Sequence, residues 1–106
     1  MNDTDIIVQK INEVASRTHP DSEIILFGSH ARGDNSEFSD WDLLILLNEN
    51  EVSFDRERQI MDDYYGLELE TGEVLSPLIY SKKDWQTKYA QIPLHESIES
   101  EGLRIK

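Results

Sequence analysis

Residues 23–47 read EIILFGSHARGDNSEFSDWDLLILL. Two apolar runs in this stretch, residues 24–27 and 43–47, have the length and composition of buried strands. A polar loop separates them. The first run stops at Gly28 and the second follows two aspartates. We therefore expect two neighbouring strands that bring a tight turn and a pair of carboxylates together.

The aspartates, Asp40 and Asp42, are one residue apart. Side chains alternate along a strand, so both should lie on one face, roughly 6.6 Å apart, with Trp41 on the other. Two carboxylates at that spacing can converge on a divalent cation, and their hard oxygen atoms suit Mg²⁺ or Mn²⁺. The same pair can simply be the solvated beginning of a strand, and the motif by itself favours that interpretation.

Gly28 and Ser29 follow the first strand directly. Glycine allows the backbone to turn sharply and to approach a ligand, while backbone N–H groups and a hydroxyl suit a phosphate. Arg32, three residues later, could add a charge-assisted contact. An ordinary strand-to-loop turn would have the same composition. The G-K-[ST] sequence of a Walker loop is absent.

The combination of the two motifs is more specific than either alone. Gly28 and Ser29 are followed by ten residues and then by Asp40-x-Asp42. This pattern, together with the segment GSHARGD, resembles the signature of the minimal nucleotidyltransferases in the DNA polymerase β-like nucleotidyltransferase superfamily. The resemblance is specific over residues 24–47 and looser elsewhere.

The resemblance implies a role for each matching residue. Gly28 and Ser29, with Arg32, would bind a nucleoside triphosphate, and Asp40 and Asp42 would be catalytic residues that bind Mg²⁺ or Mn²⁺. A hydroxyl would attack the α-phosphate and pyrophosphate would leave. The implied fold is α+β (two-layer α/β), with helices packed on one side of a small mixed sheet.

One part of the family pattern is not evident. Members usually carry a third carboxylate on a later strand, but the third predicted strand reads VLSPLIY. Glu73, just before that strand, is the only nearby candidate, and it could equally be a charged residue in a turn.

Length and composition set further limits. The chain has 106 residues and no cysteine, so we expect one domain over residues 1–106 without disulfides or thiolate metal sites. Its 22 acidic and 10 basic residues give a net charge of −12, which disfavours direct binding to nucleic acid. No apolar run reaches the roughly 20 residues of a membrane span, and the first residues are acidic. A cytoplasmic protein is the expectation.

Periodicity and turn residues predict the remaining elements. We expect Thr4 to cap the first helix, Pro77 to mark an edge strand or a bulge, and Ser81 to cap a helix that includes Trp85 and Tyr89. The predicted helices cover residues 5–17, 29–32, 54–71 and 93–101, and the predicted strands cover residues 23–27, 40–47, 74–80 and 103–105.

Two functions follow from these observations. The first is transfer of AMP from ATP to a hydroxyl, which the resemblance implies is on a HEPN-domain toxin, so that the chain acts as an antitoxin. The second is a catalytically weak or inactive module that neutralises its partner by forming a complex.

Overall fold

A computed structural model describes residues 3–106. The helices are α1 (Asp3–Thr18), α2 (Ser29–Arg32), α3 (Phe54–Thr71), α4 (Lys82–Gln86) and α5 (Pro93–Glu101). The strands are β1 (Glu23–Phe27), β2 (Trp41–Leu47), β3 (Leu75–Ser81) and β4 (Leu103–Arg104).

The strands form one mixed sheet in the order β3-β2-β1-β4. β1 runs antiparallel to β2 and β4, whereas β2 and β3 are parallel. β1 and β2 are the two inner strands, as their apolar runs require. Pro77 lies in the edge strand β3, where a missing backbone N–H costs no ladder hydrogen bond on the open side.

Helices cover both faces of the sheet. Leu43, Ile45 and Leu47 of β2 pack in one apolar cluster with residues of α1 and α3. Leu44 and Leu46 pack in a second cluster with Trp85 of α4 and Ile98 of α5. The predicted α+β class with a small mixed sheet is confirmed. The expectation of helices on one side is wrong, because an inner strand that is apolar on both faces needs cover on both.

Local signals predict most element boundaries correctly. α3 keeps its predicted range, and Ser81 caps α4 by accepting a hydrogen bond from the Asp84 N–H at 3.0 Å. Tyr89, however, lies in the turn beyond α4, where its ring packs on Tyr80 with a centroid separation of 4.8 Å. Thr4 lies inside α1 and is not its cap.

Within residues 3–106, no helix is both long enough and apolar enough to cross a membrane.

Candidate functional site

The turn after β1 is built around Gly28. Its φ of 75° is in the left-handed region, which side chains rarely tolerate. A Cβ atom at this position would also overlap Oδ2 of Asp42. Glycine is therefore required twice, once by the backbone conformation and once by the carboxylate that packs against it.

The short helix α2 continues from this turn. The N–H groups of Ala31 and Arg32 both donate to the Gly28 carbonyl at 3.1 Å. Gly33 ends the helix, and its N–H donates to the Ser29 carbonyl at 2.9 Å. The helical turn predicted for residues 29–32 is confirmed, and it places Ser29 directly beside Gly28.

The carboxylate pair lies where β2 begins. Asp42 pairs with Phe27 of β1 and with Ser76 of β3, while Asp40 lies one residue before the strand. Asp40 Oδ2 accepts a hydrogen bond from the Ser76 hydroxyl at 3.0 Å. Burial and the nearby charge of Asp40 raise the pKa of Asp42, and His30 and Arg32 oppose that effect. Asp40 therefore lies close enough for its charge to act on Asp42, and Asp42 packs against the Gly28 turn.

The candidate third carboxylate, Glu73, is elsewhere. Its Oε2 accepts a hydrogen bond from the Trp41 indole N–H at 3.1 Å. Trp41 is buried in the cluster formed with α1 and α3, on the opposite face of β2 from Asp42. The cross-strand neighbour of Asp42 on β3 is Ser76.

His30 and Trp41 brace the loop between α2 and β2. Their rings stack with centroids 3.6 Å apart and an interplanar angle of 10°. His30 Nε2 also lies 3.1 Å from the Ser39 carbonyl oxygen. These two contacts connect α2, which follows the Gly28 turn, to the start of β2, where the aspartates lie. The spacing of the motifs in the sequence does not predict them.

Arg32 does not point freely into the site. It donates from Nε to Asp34 Oδ2 at 3.1 Å and from Nη1 to both carboxylate oxygens of Glu101 at 3.3 Å. These acids raise the pKa of Arg32. Glu101 Oε1 also accepts from the Gly28 N–H at 3.4 Å.

Glu101 contacts both Gly28 and Arg32 of the candidate site, and no sequence motif points to it. It is the last residue of α5, some 70 positions from Gly28 in the chain. A Cβ at Gly102 would come within 2.5 Å of Ile25 Cγ2 and 2.6 Å of the Ile98 carbonyl oxygen. The absence of a side chain at Gly102 thus lets the end of α5 lie against β1, and no local pattern reveals that approach.

The donor atoms fit a divalent cation shared with a ligand. Asp40 and Asp42 offer hard oxygen atoms, and a cation would stabilise the charged form of Asp42, which burial and the charge of Asp40 disfavour. Within residues 3–106, no group of three or more histidine, cysteine or acidic side chains is arranged to hold a metal ion. Phosphate oxygens or water would have to complete the coordination.

Comparisons with known proteins show the family to which the chain belongs. The family model described as "Nucleotidyltransferase domain" matches residues 8–101. Two proteins of Methanocaldococcus jannaschii, both named provisionally as protein adenylyltransferases, are similar in sequence. One is 42% identical over 83 residues, covering 77% of this chain and 76% of its own length. The other is 33% identical over 103 residues and covers 96% of each chain.

Two solved structures share the fold. A crystal structure of a toxin–antitoxin with AMP-PNP superposes with a TM-score of 0.68 at 17% identity, covering 93% of this chain and 72% of that chain. A structure of a mutant of the toxin–antitoxin MntA–HpeT gives a TM-score of 0.66 at 14% identity, covering 93% and 71%.

Proposed function

The chain belongs to the nucleotidyltransferase domain family, and we propose that it transfers AMP from ATP to a hydroxyl group of a partner protein. The observation that carries this proposal is the packing of Asp42 against the backbone of Gly28, which leaves no room for a side chain. A phosphate-binding turn and a metal-binding carboxylate must be adjacent if one nucleotide is to contact both.

Each site residue has a distinct task in this reaction. The backbone of Gly28 and the hydroxyl of Ser29 orient the phosphates, with Arg32 as a further donor once it is released from its acidic partners. Asp40 and Asp42 would hold Mg²⁺ or Mn²⁺. The ion would supply the positive charge that offsets the negative charge of the phosphates and of the departing pyrophosphate.

In this reaction the protein positions the reactants and stabilises charge, and it forms no covalent bond to the substrate. The acceptor hydroxyl forms a bond to the α-phosphorus, the bond from that phosphorus to the pyrophosphate oxygen breaks, and the hydroxyl proton is released. The role of the protein is to hold the α-phosphorus in line with the acceptor and to balance charge.

The partner proposed here is a HEPN-domain toxin, with this chain as its antitoxin. Support comes from the sequence relatives named as protein adenylyltransferases and from the toxin–antitoxin structures that share the fold. The net charge of −12 would favour association with a basic surface.

A second candidate is a module that neutralises its partner by contact alone. Ser76 occupies the strand position across from Asp42, where a carboxylate could have completed the metal site. Its hydroxyl supplies a hydrogen bond to Asp40 but no negative charge. This observation favours weak or absent turnover with the binding surface intact.

One assay separates the two candidates. The purified protein is incubated with the product of the adjacent gene, Mg²⁺ and ATP labelled at the α-phosphate, and label on the partner is measured. Transfer predicts label that chelation of the metal or Asp42→Asn abolishes. Asp21→Asn, an exposed acid in the turn before β1, is the control and should label normally.

A stable complex that never acquires label, at any Mg²⁺ or Mn²⁺ concentration, would exclude the transferase and leave the binding module. Absence of both label and complex would exclude this partner.

A further inference from the structure

Glu101 makes contacts that a phosphate group of the substrate would need. Its Oε1 accepts from the Gly28 N–H at 3.4 Å and from Arg32 Nη1 at 3.3 Å. Its Oε2 lies 3.3 Å from the same Arg32 nitrogen. A carboxylate and a phosphate both present anionic oxygens to N–H donors, so one group can occupy the donors of the other.

We propose that Glu101 sets the affinity of the site for nucleoside triphosphates by competing with their phosphates for Gly28 and Arg32. This proposal rests on the proposed function, since it assumes that the Gly28 turn binds the nucleotide. Nucleotide binding then requires the Glu101 carboxylate to leave the Gly28 N–H and the guanidinium.

The geometry of α5 makes this exchange feasible. Glu101 is the last helical residue, and its side chain is 27% exposed, so it can swing toward solvent without unpacking the core. The anchor of the helix is one turn earlier, where Ile98 is buried against β2. The long contacts to Gly28 and Arg32 are weaker than ideal hydrogen bonds. A phosphate with several oxygens and a higher charge can displace them.

A positioning role for Glu101 makes the opposite prediction. If Glu101 served to hold Arg32 in place for the phosphates, its removal would weaken nucleotide binding. If it competes, its removal tightens binding. The sign of the change in Kd therefore decides between the two roles.

The test is calorimetric titration of ATP, inorganic tripolyphosphate and adenosine, each with Mg²⁺, into the wild type, Glu101→Gln and Glu101→Ala. We expect ATP and tripolyphosphate to bind about 3- to 10-fold more tightly to both variants, because the contacts of Glu101 that compete with them are long and partly exposed. Adenosine, which has no phosphate, should bind all three proteins alike. Thermal melting verifies that the variants are folded.

The matched control is Glu99→Gln, which removes the same charge from the same helix. Glu99 lies 3.5 Å from the Trp85 indole nitrogen and 3.9 Å from His95 Nε2, and within residues 3–106 it hydrogen-bonds to neither Gly28 nor Arg32. Equal tightening in Glu99→Gln would show a general charge effect and overturn the competition.

Other outcomes also distinguish the proposals. Unchanged or weaker ATP binding in both Glu101 variants, with a wild type that binds ATP, would overturn the role of Glu101 and leave the proposed function standing. Failure of ATP to bind any of the proteins would overturn both.

Discussion

The two ends of the β1–β2 pair differ in how well their polar groups are compensated by hydrogen bonds and charges. Before β1, the buried side chain of His19 lies 2.6 Å from Ser22 Oγ through Nδ1 and 3.1 Å from the Tyr64 hydroxyl through Nε2. The Ser22 hydroxyl in turn donates to the His19 carbonyl at 2.7 Å. At the other end, Asp42 packs against Gly28, whose φ is positive, and Asp40 lies close enough for its charge to act on Asp42.

The hydrogen bonds at the His19 end form a closed network. Since the Ser22 hydroxyl donates to the carbonyl, its oxygen accepts from His19 Nδ1–H, and Nε2 is left to accept from Tyr64. Burial, together with the charges of Arg56 and Lys106, lowers the pKa of His19 to about 4. The neutral imidazole thus has a partner at each nitrogen, and the network needs nothing further.

The Asp42 end is electrostatically incomplete. Burial and the charge of Asp40 together raise the pKa of Asp42, and the smaller opposing effects of His30 and Arg32 do not cancel them. A satisfied network stabilises the fold, whereas a carboxylate whose pKa stays raised is suited to bind a cation. The comparison teaches that polar burial has a structural role at one end of these strands, and under the proposed function it has a ligand-binding role at the other.

The largest expected effect is loss of transfer when either aspartate loses its charge. Asp40→Asn and Asp42→Asn should each reduce AMP transfer by on the order of 100-fold or more, because each removes a metal-binding carboxylate. Thermal melting should show that Asp42→Asn is no less stable than the wild type, since the substitution removes repulsion with Asp40. A variant that labels its partner at the wild-type rate would contradict the metal site.

Next in size is a pH effect at the His19 end. The folded pKa of His19 is about 4 and the unfolded value is 6.5, so the unfolded chain binds more protons between these values. The free energy of unfolding should therefore fall as pH decreases from 6.5 to 4, by about 3 kcal/mol from this residue. Urea unfolding across that interval is the measurement.

The control for the pH effect is His19→Gln, which cannot titrate. Its stability should decline less steeply than that of the wild type over the same interval. Parallel pH profiles for the two proteins would remove His19 from the explanation. The raised pKa of Asp42 works in the opposite direction, because protonation of that carboxyl favours the folded state.

A smaller effect is expected at the glycine that begins the first motif. Gly28→Ala should cost about 2 kcal/mol of stability and weaken ATP binding, because alanine is strained at this positive φ and its Cβ displaces Asp42. Gly33→Ala is the matched control, with a similar φ of 81° but open space around the position. It should cost about 1 kcal/mol and bind ATP normally. Equal behaviour of the two variants would show that contact with Asp42 is unimportant.

The smallest predicted change tests whether the His19 network and the Asp42 site are energetically independent. Tyr64→Phe should cost about 1 kcal/mol, because His19 Nε2 loses its partner in a buried position. ATP affinity should not change. Tyr65→Phe, on the exposed face of α3, is the control and should leave stability unaltered. Weaker ATP binding in Tyr64→Phe would mean that the ends are coupled.

Much of the fold could be predicted from local sequence. The ranges of β1 and α3 and the end of α5 at Gly102 follow from apolar periodicity and helix-end residues, which act over a few neighbouring positions. The cover on both faces of β2 could have been inferred as well, since its apolar run leaves neither face polar. Tyr89 is predicted to lie in the same helix as Trp85, but α4 ends at Gln86 and Tyr89 packs against Tyr80 in the turn that follows.

The candidate site divides in the same way. Gly28, Ser29, Asp40 and Asp42 belong to two short motifs whose spacing is legible in the chain, and the ladder between β1 and β2 brings them together. Glu73 is the acid nearest in sequence to β3. It nevertheless contacts Trp41, and side-chain alternation along β2 places Trp41 on the opposite face from Asp42. Proximity in sequence was a poor guide there, because one residue in a strand changes the face.

The sequence by itself determined the two inner strands, the glycine turn and the aspartate pair, because those features arise from residue type and from a period of two within a few positions. Only the tertiary structure decided that Ser76 stands across from Asp42 and that Glu101 reaches Gly28 and Arg32. The first depends on the register of a parallel pair joined by a long helical connection, and the second on how closely α5 approaches β1. Both are set by packing between distant segments, for which the chain carries no local signal.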